Sequence, residues 1–165
     1  KTARGVDLPH TERFSARQDA LALLDFYEAV AEEKHIRLRV KGDGEIEGDR
    51  LMFRRAVSNL LSNALRHAPE AGDVTIRIAA TAQATTVTVE NTGADIDAKT
   101  LPRLFDRFYR ADASRAHTDT DGSGLGLAIT RAIAEAHGGS VTASSGQGHT
   151  CFTLVFPYHI AKPSS

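Results

Sequence analysis

The chain reads as an α/β protein, a two-layer sandwich whose mixed, mostly antiparallel sheet is covered on one face by about three helices. Three observations predict this. Segments with apolar residues at helical spacing are interleaved with short runs in which apolar and polar residues alternate. The short runs come in neighbouring pairs joined by turns, which favours antiparallel pairing. With 165 residues, 41% of them apolar, there is material for one domain with its own core and too little for two.

Taken in order, residues 1–12 are polar, with Gly5 and Pro9, and read as a linker from a preceding element. The domain proper is expected over residues 13–158. In residues 19–33, Leu23, Leu24, Phe26, Tyr27 and Val30 mark an amphipathic helix, and I-R-L-R-V at 36–40 alternates like a half-buried strand. G-D-G at 42–44 is a turn before a short strand around Ile46. A long helix follows over residues 50–67 and stops before Pro69. T-I-R-I at 75–78 and V-T-V-E at 87–90 read as adjacent strands. Short helical turns are expected over 97–110, a polar loop over 111–121, and a helix over 124–137 with Leu125, Ile129, Ala132, Ile133 and Ala136 on one face. Gly138-Gly139 ends that helix. Strands at 140–144 and 150–156 close the domain around a G-Q-G turn, leaving a polar tail at 159–165.

A formal charge of −1 argues against wholesale attraction to nucleic acid or an acidic membrane surface. The single cysteine, Cys151, excludes an intrachain disulfide framework and fits a buried strand residue in a reducing compartment. No apolar run has membrane length. The chain begins at Lys1, so an anchor is expected elsewhere, if there is one.

Chemistry concentrates in a few segments. D-G-S-G-L-G-L at 121–127 opens a helix. Gly122, Gly124 and Gly126 permit close backbone approach, and the helix start supplies unpaired N–H groups and the positive dipole end that phosphate seeks. On the 50–67 helix residues advance by about 100° each, so Asn59, Asn63 and Arg66 form one stripe beside the apolar stripe of Val57, Leu60, Leu61, Ala64 and Ala68. Carboxamide oxygens suit a hard, partly hydrated Mg²⁺, and arginine suits phosphate oxygens. A solvated polar face would explain the same stripe, but asparagine is a poor mid-helix residue and two at this spacing need a reason. Asn91 leaves a strand into a turn, where side chains commonly reach a ligand, although an Asn-Thr-Gly turn is ordinary in itself. In L-P-R-L-F-D-R-F-Y-R at 101–110, Leu104, Phe105 and Phe108 suit packing and the arginines suit solvent. The seven histidines lack metal-ligand spacing.

In this order and spacing, the segments resemble the ATP-binding catalytic domain of bacterial sensor histidine kinases, in the superfamily of gyrase, chaperone and mismatch-repair ATPases. N-L-L-S-N-A-L-R-H at 59–67 resembles the N box, E-N-T-G-A-D-I at 90–96 the first glycine box, and L-F-D-R-F-Y-R at 104–110 the phenylalanine box. D-G-S-G-L-G-L-A-I at 121–129 resembles the second glycine box and S-G-Q-G-H-T at 145–150 the last glycine element. The resemblance implies a Bergerat-type fold over about residues 13–157 and ATP with Mg²⁺ as cofactors. It implies that Asn63 ligates Mg²⁺, Asn59 lies near the phosphates as a catalytic group, Arg66 contacts phosphate and His67 lines the pocket. Asn91 takes the adenine-reading position, Gly93 lets the base approach, and Ile96, Phe105, Leu125, Leu127 and Thr150 complete the pocket. Gly122, Gly124 and Gly126 cradle the phosphates under a lid of about residues 110–121, and Arg107 and Arg110 are candidates to steady the γ-phosphoryl charge.

Two residues depart from that pattern: Asn91 stands where the family usually has aspartate, and Asp95 where it has a second glycine. Aspartate tolerates left-handed dihedrals, which predicts that Asp95 preserves the turn. An amide both accepts and donates, so rotation of Asn91 would let it match either base edge and loosen base selection. Both departures resemble the copper- or silver-sensor branch. No histidine here sits in the phosphoacceptor context H-E-x-[basic]-x-P, so the acceptor is expected on a preceding dimerisation domain. The resemblance therefore implies a cytoplasmic domain of an inner-membrane sensor that is a homodimer when complete, with this chain alone a monomer and membrane contact made only by segments outside it. Its partners would be the preceding domain and a response regulator, with no nucleic acid. The alternative is a non-catalytic, ATP-gated switch. A Rossmann site fails because the glycine run does not follow a strand, a Walker loop because G-K-[S/T] is missing, and a eukaryotic-type kinase because its signatures are absent.

Overall fold

The computed structural model describes residues 10–106 and 125–158. Among these, strand β1 (Glu12–Ser15) leads into helix α1 (Ala16–Glu33), then β2 (Arg37–Gly42), β3 (Glu45–Gly48) and helix α2 (Arg50–His67). The hairpin β4 (Asp73–Ala80) and β5 (Ala84–Thr92) follows, then a 3-10 turn at Leu101–Phe105, helix α3 (Gly126–Ala136), and the hairpin β6 (Ser140–Gly146) and β7 (His149–Pro157).

Local chemistry explains the helix ends. The Ser15 hydroxyl accepts from the Gln18 N–H at 3.1 Å, so α1 starts at Ala16, ahead of the start expected at residue 19. Asp49 caps α2 by accepting from the Met52 N–H at 3.0 Å, and Pro69 follows its last turn. Helix α3 begins at Gly126 rather than 124, with Leu125 in the cap position.

The main sheet has the order β2-β4-β5-β7-β6, with every pair antiparallel except β2–β4, which is parallel. A second, two-stranded ladder joins β1 to β3. This strand of residues 12–15 is not foreseen in the sequence, because only its distant partner β3 orders it. One face of the main sheet, including Val74, Ile76, Val87, Val89, Phe152, Leu154 and Phe156, meets the apolar stripes of the helices in a single core. Phe14, Phe53 and Phe156 stack edge to face at 5.3 and 5.4 Å and tie β1, α2 and β7 together. The other face is polar, with Thr88 and Thr153 sharing a 3.1 Å hydrogen bond across β5 and β7. Cys151 lies half-buried in β7, where burial, followed by the neighbouring Glu90 charge, pushes its thiol pKa up.

Asp19 fastens α1 to α2. It is fully buried, and Arg50 donates to both its carboxylate oxygens at 2.9–3.1 Å while Arg54 adds a bond at 3.2 Å. Burial alone would raise its pKa, but the two guanidinium groups outweigh it and hold the carboxyl below its usual range.

Candidate functional site

Helix α2 is the spine of the site. Its apolar stripe is buried in the core, which leaves Asn59 half-buried and Asn63 at only 9% exposure along one edge. The Asn59 Nδ2 donates to the Gly126 carbonyl at 3.1 Å and lies 3.3 Å from the Thr130 hydroxyl, which itself donates to the Gly126 carbonyl at 2.9 Å. The donor end of Asn59 is thus spent on α3, and its oxygen is the end that remains to accept. Asn63 sits one turn further along, and among the described residues its carboxamide has no hydrogen-bond partner. Its amide atoms are not sealed from solvent, so the carboxamide is open to a ligand.

At the far end of α2, Arg66 and His67 are exposed residues of the last turn. Partial desolvation of the His67 ring, with the Arg66 and Lys34 cations adding to it, holds its pKa below the ordinary value and keeps the imidazole neutral at neutral pH. The His67 carbonyl faces Gly93, where an added Cβ would stand 3.0 Å from that oxygen, and Gly93 has φ +149, a value suited to glycine. From residue 59 to residue 67, α2 therefore runs about 12 Å, with the start of α3 at one end and the turn after β5 at the other.

That turn is clasped to the β6–β7 hairpin. Gly93 N–H donates to the Gly148 carbonyl at 2.9 Å, Gly148 N–H donates to Asp95 Oδ1 at 2.9 Å, and Ile96 N–H donates to Ser145 Oγ at 2.8 Å. Ser145 in turn lies 2.9 Å from the buried Thr150 hydroxyl. Asp95 is not among the left-handed residues, so its expected dihedral role is corrected: it preserves the turn as a hydrogen-bond acceptor. Asn91 is 2% exposed and pairs with Thr150 across the ladder. Its Nδ2 donates to the Thr92 carbonyl at 2.9 Å, which fixes the amide with its oxygen as the free end. Without nucleotide, that bond takes up the amide nitrogen whose rotation would let the side chain match either base edge.

Phe105 is 6% exposed and meets Phe152 edge-on at 5.9 Å, so its ring is used in the core. Leu127 packs against the core from the first turn of α3, and Leu125 precedes that turn. Arg107, Arg110, Gly122, Gly124 and the segment expected as a lid lie outside the described residues. Thr130, Ser145 and Asp95 join the site's supports without having been foreseen in those roles. A signal for Thr130 does exist, since it lies one helical turn beyond Gly126.

The profile of the family described as histidine kinase-, DNA gyrase B- and HSP90-like ATPase matches residues 48–160. The chain is 45% identical over 148 residues to the sensor protein IrlS of Burkholderia pseudomallei, covering 88% of this chain and 32% of that protein. It is 42% identical over 151 residues to the sensor histidine kinase CusS of Escherichia coli K12, covering 91% and 31% respectively. Among solved structures, the catalytic domain of histidine kinase ThkA superposes with TM-score 0.79 at 24% identity, covering 90% of this chain and 95% of that one. The mycobacterial sensor histidine kinase MprB gives 0.76 at 25% identity, with 88% and 97% covered. Fold and motifs together define an ATPase-type catalytic domain. The chain belongs to the histidine kinase-, DNA gyrase B- and HSP90-like ATPase family, within it to the catalytic domains of sensor histidine kinases. It spans about a third of the length of the curated relatives it matches. Among the described residues, no helix is long and apolar enough to cross a membrane.

Proposed function

We propose that the chain binds ATP with Mg²⁺ along α2 and donates the γ-phosphoryl group to a histidine on a preceding dimerisation domain, for relay to an aspartate of a response regulator. The observation that carries this reading is Asn63, whose carboxamide makes no hydrogen bond among the described residues and is open to a ligand, midway between the start of α3 and the clasped turn after β5. The adenine lies at the Asn91–Gly93 end, where the free Asn91 oxygen accepts from the base amino group and Gly93 leaves room for the ring. The phosphates lie at the α3 end, where Gly126 adds no side chain and the helix start supplies N–H groups and a positive dipole end.

The donor set fits the cation. Asn63 would offer a carboxamide oxygen as a ligand, and Asn59, whose nitrogen is used on α3, would offer its oxygen as a hydrogen-bond acceptor beside the cation. Mg²⁺, when bound, neutralises phosphate charge and orients the terminal phosphates. The protein's own part is positioning: Asn59 keeps α3 against α2, Arg66 supplies a cation, and neutral His67 lines the pocket without adding charge. Arg107, Arg110, Gly122 and Gly124 belong to the same proposal on the strength of their motifs. The complete protein is read as a homodimeric inner-membrane sensor of the copper or silver branch, with this domain on the cytoplasmic side. ThkA, which shares the fold, has been solved in complex with the response regulator TrrA, which supports a regulator as partner.

The experiment is a calorimetric titration of ATP with magnesium and with chelator, on wild type and Asn63→Ala. Wild type should bind more tightly with magnesium. Asn63→Ala should lose about 10- to 100-fold of that affinity and become insensitive to chelator. Equal affinities in magnesium would overturn the metal assignment.

A further inference from the structure

We propose that His137, remote from every group that would touch nucleotide, is a positioning residue that sets how α3 lies against α2. The proposal rests on the nucleotide site described above, but its structural half can be tested without nucleotide. His137 is the C-cap of α3 and is fully buried. Its Nδ1 lies 2.8 Å from the Ile133 carbonyl, and its Nε2 lies 3.0 Å from the backbone N of Asp49. A carbonyl can only accept and a backbone N–H can only donate, so the ring is neutral, with its proton on Nδ1 and a lone pair on Nε2. The imidazole stands edge-on to Phe156 at 5.2 Å. It approaches the chain so closely that a Cβ at Gly48 would fall 2.3 Å from its Cδ2 and 2.4 Å from its Nε2.

The partner atom gives this contact its reach. Asp49 is the N-cap of α2, and its carboxylate also accepts from the backbone N–H of His10, where the described chain begins. His137 therefore joins the C-terminal end of α3 to the N-terminal end of α2. The other join is Asn59, which grips Gly126 and Thr130 at the opposite end of α3. The helices run antiparallel, and the two joins are spaced about 15 Å apart along each. Core packing of Ile133 and Ala134 holds the helices together, and the two directional joins at the ends of α3 fix its register and tilt within that packing. Since α3 presents its first turn to the phosphates, the His137 join is what keeps the Asn59–Gly126 end in its binding geometry before ligand arrives.

Two substitutions separate this role from plain packing. His137→Asn keeps an amide near Nδ1, able to donate to Ile133, but cannot reach Asp49. His137→Gln places an amide oxygen near the Nε2 position and keeps the acceptor for Asp49. Both remove the ring from Phe156. The first readout is the side-chain amide resonance of Asn59 in the nucleotide-free chain, followed by Mg-ATP affinity. His137→Asn should shift that resonance and weaken binding about fivefold, while His137→Gln should stay within about twofold of wild type. Should His137→Asn fail to fold, Gly48→Ala displaces the unaltered ring and should give the same two changes. Equal effects of the Asn and Gln variants, or an unshifted Asn59 resonance in both His137→Asn and Gly48→Ala, would overturn the proposal. Failure of wild type to bind ATP would instead overturn the nucleotide reading, and the resonance would still test the join.

Discussion

The two ends of α2 are built by different means. At the turn after β5, the N–H groups of Gly93, Gly148 and Ile96 are consumed in hydrogen bonds to the Gly148 carbonyl, Asp95 and Ser145 respectively. Asn91 spends its amide nitrogen in the same way and keeps one oxygen. At the seam where the start of α3 meets α2, the polar fastening comes from one side of one amide, Asn59, while Asn63 one turn further on makes no hydrogen bond among the described residues. On the proposed reading, the first end would be a shaped surface whose specificity lies in backbone placement, and the second would present side-chain ligands on a helix. Lesions at the first should therefore damage shape and stability together. Lesions at the second should remove ligand groups from an intact fold.

The sharpest way to break this contrast is Gly93→Val. At φ +149 a β-branched side chain is strained, and its Cβ would meet the His67 carbonyl at 3.0 Å and Asn91 Nδ2 at 3.6 Å. The expected result is a stability loss of about 3 kcal/mol in urea unfolding, together with loss of measurable ATP binding. Near-normal binding would show that the turn is not a shaped surface at all.

Asp19→Asn supplies the contrast from outside both ends. It removes the carboxylate charge that holds Arg50 and Arg54, and the expected cost is about 2 kcal/mol, since both arginines can turn to solvent. ATP affinity should not change. The Asp19 pKa is lower in the folded chain than its ordinary 3.8, so its contribution is fully present above that value and is lost as pH falls below it through the native value. Urea unfolding of wild type and variant across that acid range should show their difference closing. A difference that is constant down to the acid limit would contradict the ion-pair origin.

Legibility from sequence divides along the same line. The seam is written locally: Asn59, Asn63 and Arg66 share a helical stripe, Pro69 ends the helix, and the glycine run opens α3, so helical periodicity alone brings most of these groups to one edge. The clasp is not local. Asp95 and Gly148 are 53 residues apart, and nothing in either segment announces that a carboxylate will accept from that particular N–H. Strand β1 escapes for the same reason, since its four residues are ordered by β3 across a long separation. The parallel β2–β4 pair and the Asp49–His137 contact likewise depend on tertiary placement that no single window contains.

Asp95→Ala measures how much the clasp matters on its own. The bond to Gly148 is exposed, so its loss should cost only about 0.5 kcal/mol. ATP affinity should fall about twofold to threefold, because the Gly93–Gly148 and Ile96–Ser145 bonds remain to hold the turn. A loss as large as that of Gly93→Val would mean that Asp95 itself meets the nucleotide, and identical affinity would mean that the backbone bonds suffice.

The smallest effect is expected where the sequence departs most visibly from its family. A freely rotating amide at residue 91 would accept from adenine in one orientation and donate to the guanine carbonyl in the other, blurring base choice. The Thr92 carbonyl prevents this by holding Asn91 Nδ2 at 2.9 Å inside a site only 2% exposed, so turning the amide would set two oxygens against each other. On the proposed reading the free oxygen would act as an aspartate oxygen does, accepting from the adenine amino group and repelling a carbonyl in its place. Wild type should accordingly prefer ATP to GTP, and Asn91→Asp should change that ratio by less than about threefold. The substitution's clearer mark should be on stability, because a carboxylate oxygen replaces the donor that Thr92 requires. Paired titrations of both nucleotides into both proteins, with urea unfolding of each, decide it. A large gain in ATP preference in Asn91→Asp without loss of stability would show that the amide does turn, and that the Thr92 bond does not fix the reading of the base.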